Sequence, residues 1–128
     1  EVKEVYPLNR ELQNKHGGIV LIGDQLYGDQ GDKGIIFCAN LMTGEVIWKS
    51  RGPGSASASV TAADGHLYVR YSNGVMALVK AQTSGFEDKG NFQIPGSGSR
   101  PSWSHPVVVG GKLFLREGDK ILCYDVKS

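Results

Sequence analysis

Few side chains in this 128-residue chain could do chemistry: three histidines, two cysteines, two tryptophans and a handful of arginines. His16, His105, Trp103, Arg51 and Arg100 form the most suggestive set. An imidazole is a base near neutral pH, a guanidinium offers a bidentate fork to an anion, and an indole supplies a face for stacking. Together they would suit an anionic, planar or sugar-like ligand. Each also reads as an ordinary polar loop residue, with Trp103 filling a seam, and both readings stay open. His66 sits at a turn and is expected to be solvated.

Other chemistries find little support. Cys38 and Cys123 lie in neither a CxxC nor a vicinal pair, so redox and metal roles are weak; both are expected to be buried, reduced thiols. Asp29-Gln30-Gly31-Asp32-Lys33-Gly34 faintly resembles a Ca²⁺ loop. It lacks the alternating oxygen ligands and terminal Glu of an EF-hand, and a plain hairpin loop is expected. Ser55-Ala56-Ser57-Ala58-Ser59 has no base at nucleophile spacing, and no GxSxG, P-loop, HExxH or dinucleotide fingerprint occurs; we read it as a small-residue strand allowing close approach. Fourteen basic against thirteen acidic residues give a net charge of +1, which argues against a nucleic-acid footprint. No apolar run approaches the ~20 residues of a membrane helix, and the start Glu1-Val2-Lys3-Glu4 has no leader pattern.

The elements that must position these residues repeat three times. The units are Ile19–Ile22, Gly23-Asp24, Gln25–Tyr27; Val60–Ala63, Asp64-Gly65, His66–Arg70; and Val107–Val109, Gly110-Gly111, Lys112–Arg116. Each is two strands around a two-residue Gly-containing loop, the signature of a tight hairpin. The marker residues Leu26, Leu67 and Leu113 are 41 and 46 residues apart, a spacing that suits propeller blades. A third strand follows each hairpin: Gly34–Cys38, Gly74–Val79 and Lys120–Tyr124. A fourth follows twice, Glu45–Lys49 and Gly90–Ile94. Arg51–Ser57 and Pro95–Pro101 recur at one phase and are expected to carry the chain from an outer strand to the next inner one. Aligned on the leucines, His16, Ser57 and Trp103 are equivalent, as are Gly18, Ser59 and His105, and all lead into inner strands near the axis. Arg70 and Arg116 both end a second strand. They could ladder into a basic ring, but solvent-exposed strand ends are the stronger expectation.

Val2–Leu8 is expected to be one further outer strand. With strands labelled A to D outward, the chain then reads D-ABCD-ABCD-ABC. That is an all-β propeller segment of about three four-stranded antiparallel blades: residues 1–16 an outer strand plus loop, 17–50 the first blade, 57–94 the second, and 103–128 a third without its outer strand. Propellers close with ~4–8 blades. Three would leave raw apolar flanks, so either the remaining blades of a longer chain or a second copy in a six-bladed homodimer must cover them.

The stretch Cys38-Ala39-Asn40-Leu41-Met42-Thr43-Gly44-Glu45-Val46-Ile47-Trp48 resembles the repeat of PQQ-like, quinoprotein alcohol dehydrogenase-like β-propellers, Ala-x-Asp-x-x-Thr-Gly-x-x-x-Trp. Thr43, Gly44 and Trp48 match, Cys38 stands for Ala and Asn40 for Asp. Cys123-Tyr124-Asp125 restores the acidic residue, whereas Leu78-Val79-Lys80-Ala81 has lost the motif and has only Phe86 nearby as an aromatic. The resemblance implies a structural docking role for Cys38, Asn40, Thr43, Gly44, Trp48, Cys123 and Asp125. It also implies a bacterial, periplasmic or secreted protein similar to the C-terminal blades of PQQ-like or polyvinyl-alcohol dehydrogenase-like chains. The dehydrogenases so resembled hold PQQ with a vicinal disulfide, an Arg and a Ca²⁺ site. This chain has no vicinal Cys pair and no matching Ca²⁺ set, so no catalytic residue and no cofactor is evident. The expectation is a non-catalytic scaffold for ligand or protein binding, with part of a PQQ-dependent alcohol dehydrogenase as the alternative.

Overall fold

Glycine turns, alternating strands and small inner residues resolve into three separate antiparallel sheets. A computed structural model describes residues 1–127; Ser128, the last residue expected in the third unit, lies outside them. The first sheet orders β1 (Ile19–Ile22), β2 (Gln25–Asp29), β3 (Ile35–Asn40) and β4 (Val46–Arg51). The second orders β5 (Ala58–Ala63), β6 (His66–Tyr71), β7 (Val75–Lys80) and β8 (Asp88–Gln93). The third holds β9 (Val107–Val109), β10 (Lys112–Glu117) and β11 (Lys120–Asp125). The inner strand β5 touches β1, β2 and β9, so the sheets fan out from a shared inner edge as propeller blades do.

The turns explain the local geometry. Asp64-Gly65 and Gly110-Gly111 have positive φ at both central residues, the conformation that matches the twist of a two-residue hairpin. The glycines between blades act through close approach. A Cβ at Gly54 would lie 2.1 Å from the Tyr71 ring, and one at Gly52 1.7 Å from its hydroxyl. The connection is therefore a packed strap across Tyr71, not a loose tether.

Two apolar seams hold the blades together. The first joins Val20, Ile22, Tyr27, Ile36, Cys38 and Trp48 to Val60, Leu67, Val69, Tyr71 and Val79. The second joins Tyr68, Met76 and Ile94 to Val108, Leu113, Leu115, Leu122, Tyr124 and Val126. Burial at the first seam pushes the Tyr27 phenol up to about 12, with the adjacent Cys38 adding to the shift.

Three expectations are corrected. Val2–Leu8 is not a strand, and the chain has eleven strands among the described residues. An outer strand needs an edge to pair with, and this segment finds none; Val2, Val5 and Leu8 are exposed. Residues 9–14 instead lie along the first blade, through a 3₁₀ turn at Arg10–Leu12, Asn9 Nδ2 donating to the Gly44 carbonyl at 3.4 Å, and a 2.8 Å Glu11–Lys49 ion pair. Second, Cys38 is buried but Cys123 is exposed, because no fourth blade covers that face of the third. Third, Arg70 is only 1% exposed and is no solvated strand end; Arg116 is exposed.

Candidate functional site

The loops leading into the inner strands meet at the centre of the fan. Gly17 passes there because only a hydrogen fits: a Cβ would lie 1.7 Å from the Ala58 carbonyl oxygen. Asn14 fastens the same bend. Its side chain accepts the Gly18 amide at 3.1 Å and donates to Asp29 Oδ1 at 2.6 Å. Asp29 Oδ2 accepts the Ala58 amide at 3.0 Å, crossing to the second blade. Burial raises the Asp29 carboxyl above its ordinary range, with the Ala58 amide pulling the other way.

His16, Ser57 and Trp103, equivalent in the repeat, converge above this floor. The Ser57 hydroxyl lies 3.1 Å from His16 Nδ1, and the His16 ring lies 4.7 Å from the Trp103 ring at a 35° tilt. His105 joins them, with Nε2 donating to the His16 carbonyl at 3.3 Å. Ser59 Oγ holds the Trp103 carbonyl at 3.2 Å. The Trp103 ring stays 54% exposed, an open stacking face beside an imidazole.

Arg51 and Arg100 are placed elsewhere. Arg51 ends the outer strand β4, and its guanidinium donates to the Lys33 carbonyl at 2.8 Å. Arg100 borders a shallow groove with Ala56, Ser72 and Asn73. The position of an outer-strand arginine depends on blade depth, which linear proximity to a loop does not encode. His66 caps its own turn, 2.8 Å from the Asp64 carbonyl, and residues 30–34 form the hairpin loop between β2 and β3.

The cluster that sequence reasoning missed surrounds Arg70. Its guanidinium donates to the Ser104 carbonyl at 3.0 Å, the Arg116 carbonyl at 2.6 Å and Glu117 Oε2 at 2.6 Å. Ser102 Oγ donates to the same carboxylate oxygen at 2.6 Å. Burial lowers the Arg70 pKa while Glu117 opposes the shift. Trp103 and these residues line a hollow of about 210 Å³. The available signal was the equivalence of Arg70 with Asp29, each three residues after the marker leucine of its blade.

The motif residues act structurally. Asn40 Oδ1 accepts the Met42 and Thr43 amides at 2.9 and 3.0 Å, Thr43 Oγ1 accepts the Glu45 amide at 3.2 Å, and Gly44 has φ +68°. Asp125 repeats the pattern, with Oδ1 accepting the Lys127 amide at 3.1 Å. Trp48 reaches the neighbouring blade, its Nε1–H donating to the Gln82 carbonyl at 2.8 Å.

A sheet fan with this turn and this docking tryptophan can be set against known proteins. The family described as outer membrane protein assembly factor BamB matches residues 3–50. BamB from Moraxella catarrhalis superposes with a TM-score of 0.65 at 17% identity, over 84% of this chain and 32% of that one. A quinohemoprotein alcohol dehydrogenase from Pseudomonas putida HK5 superposes with a TM-score of 0.70 at 18% identity, over 92% of this chain and 20% of that one. The family match and both superpositions support repeats of the PQQ-like β-propeller kind. At these identities the two structures share the fold alone, and the chain spans about a third of the first and a fifth of the second. No curated protein matches the chain in sequence.

No three His, Cys, Asp or Glu side chains cluster as metal donors among the described residues. Asp29, the carboxylate beneath His16, is already engaged by Asn14 and the Ala58 amide. The two cysteines belong to different blades.

Proposed function

We propose that this chain is a non-catalytic PQQ-like propeller scaffold for ligand or protein binding, its open flanks covered by further blades of the same kind, including those of a second copy. The supporting observation is the outward face of the third blade. Val107, Val109 and Ile121 are 53%, 60% and 67% exposed on one side of β9 and β11, where a propeller would place its next sheet. Contiguous apolar surface of this sort marks an interaction site. The His16–Trp103 mouth then serves as a stacking surface for a planar ligand. Kinship with envelope-associated proteins supports a periplasmic or secreted setting, and among the described residues no helix is long and apolar enough to cross a membrane.

Two measurements test this reading. Light scattering coupled to size exclusion should give the mass of two copies at high concentration; a clean monomer with a cooperative melt overturns closure by self-association. Addition of PQQ and Ca²⁺ should produce neither an absorbance change nor dye-linked alcohol oxidation. Turnover that is lost in His105→Ala would overturn the scaffold reading in favour of a dehydrogenase.

A further inference from the structure

The two seams differ at one position. In the first blade Tyr27, Cys38 and Trp48 lie side by side across β2, β3 and β4. In the second, Tyr68, Leu78 and Gly90 lie side by side across β6, β7 and β8. The register shift falls at the same place in both sheets, between Cys38 and Ala39 and between Leu78 and Val79. Gly90 therefore stands where Trp48 stands, and a Cβ built on it meets nothing within 4 Å.

At the first seam the Trp48 indole fills the space. It lies 6.2 Å from the Tyr27 ring and 6.1 Å from the Phe86 ring, and it donates to the Gln82 carbonyl. At the second seam the same space is a cavity of about 370 Å³ lined by Tyr68, Met76, Leu78, Phe92, Leu113 and Val126. The equivalences extend to the far wall. Ala81 and Trp48 both pack against the first seam, and the Ala81 amide donates to the Gly65 carbonyl at 3.0 Å; the Val126 amide donates to the Gly111 carbonyl at 3.0 Å. Lys127 follows Val126 as Gln82 follows Ala81, so by the repeat its carbonyl corresponds to the indole's acceptor. Phe92, its ring 5.1 Å from that of Tyr124 and tilted 54° to it, closes one side.

We propose that this vacant tryptophan slot is a binding site for a small indole-class ligand: a planar apolar ring system carrying one N–H donor. The volume lies within the range of small-molecule pockets, and a mainly apolar lining with few polar members, here Lys89 and Asn91, is their usual composition. The slot is built by the second seam and shares no residue with the His16–Trp103 mouth.

The test is titration of the isotopically labelled chain with indole, followed by amide chemical shifts. Saturable shifts centred on Tyr68, Leu78, Gly90 and Phe92 are expected. 1-Methylindole, which lacks the donor, should bind roughly two- to tenfold more weakly. Leu78→Trp should fill the slot from its own wall and abolish the shifts. The proposal is overturned by an absence of saturation up to the solubility limit of indole, by shifts confined to His16 and Trp103, or by unchanged binding in Leu78→Trp. Shifts at the same amides on raising protein concentration alone would give the slot to a second copy and also overturn it. Because the shift map and the 1-methylindole comparison use the unaltered chain, the test stands even if Leu78→Trp fails to fold.

Discussion

The Trp48 indole N–H and the Gln82 carbonyl oxygen, 2.8 Å apart, form a hydrogen bond from one blade to the next. The ring beside it packs between Tyr27 and Phe86. Trp48→Phe keeps most of the packing and removes the donor, so it should cost about 1 kcal/mol. Trp48→Ala also opens the seam and should cost about 3 kcal/mol. Urea unfolding with an unchanged m-value would check both, and an unchanged midpoint in Trp48→Phe would show that the hydrogen bond contributes nothing.

Arg70 and Glu117 illustrate the opposite regime, a pair held away from water at 2.6 Å. Removing one partner strands the other, so Arg70→Met should destabilise the chain by about 3 kcal/mol. Adding Glu117→Leu should recover a large part of that loss, because neither charge is then left unpaired. A double-mutant cycle read by urea midpoint gives the coupling; strictly additive losses would contradict the pairing.

Tyr71 carries a buried hydroxyl with no hydrogen-bond partner, and burial raises its pKa further above the ordinary phenol range. Tyr71→Phe should therefore be neutral or stabilising by up to about 1 kcal/mol. Gly54→Ala, which drives a methyl into the same ring, should be strongly destabilising. Thermal melts of the two variants should move in opposite directions or leave Tyr71→Phe unmoved.

Asp29 fixes a pH dependence with a definite sign. Its folded-state pKa lies above the ordinary 3.8 because of burial. The stability it contributes is then fully present below that ordinary value and is lost as pH rises through the folded-state pKa. The urea midpoint of the wild type relative to Asp29→Asn should accordingly fall as pH rises from below that ordinary value. A difference that grows with pH would mean that the carboxylate, not the acid, is favoured by its surroundings.

Cys38 and Cys123 report on the open flank. A thiol reagent should label Cys123 quickly and Cys38 only on unfolding. If another copy covers the third blade, labelling of Cys123 should slow as protein concentration rises, while Cys38 stays unchanged. Mass spectrometry of the labelled chain separates the two sites.

What could be read from the residues was what is decided locally. The hairpins were legible because Asp64-Gly65 and Gly110-Gly111 set their own turns, and Leu26, Leu67 and Leu113 keep their phase. Convergence of His16, Ser57 and Trp103 was legible as a repeat equivalence, since equivalent lead-in residues point to a common axis. Features set by a neighbouring sheet were not. Arg70 is buried by the third blade, Cys123 is exposed for want of a fourth, and Val2–Leu8 pairs with none of the three sheets. The counterpart of Trp48 was hidden as well, because Phe86 is the nearby aromatic while the pairing register selects Gly90.

Asp29 and Arg70 lie on equivalent strands, yet one takes an amide hydrogen from the next blade and the other gives hydrogens to it. The two fastenings are therefore not interchangeable. The partner groups are backbone atoms at equivalent lead-in positions, the Ala58 amide in one case and the Ser104 carbonyl in the other. The polarity of each latch is thus written in the side chain and not in the strand it grips, so exchanging Asp29 and Arg70 would leave each facing the wrong backbone atom.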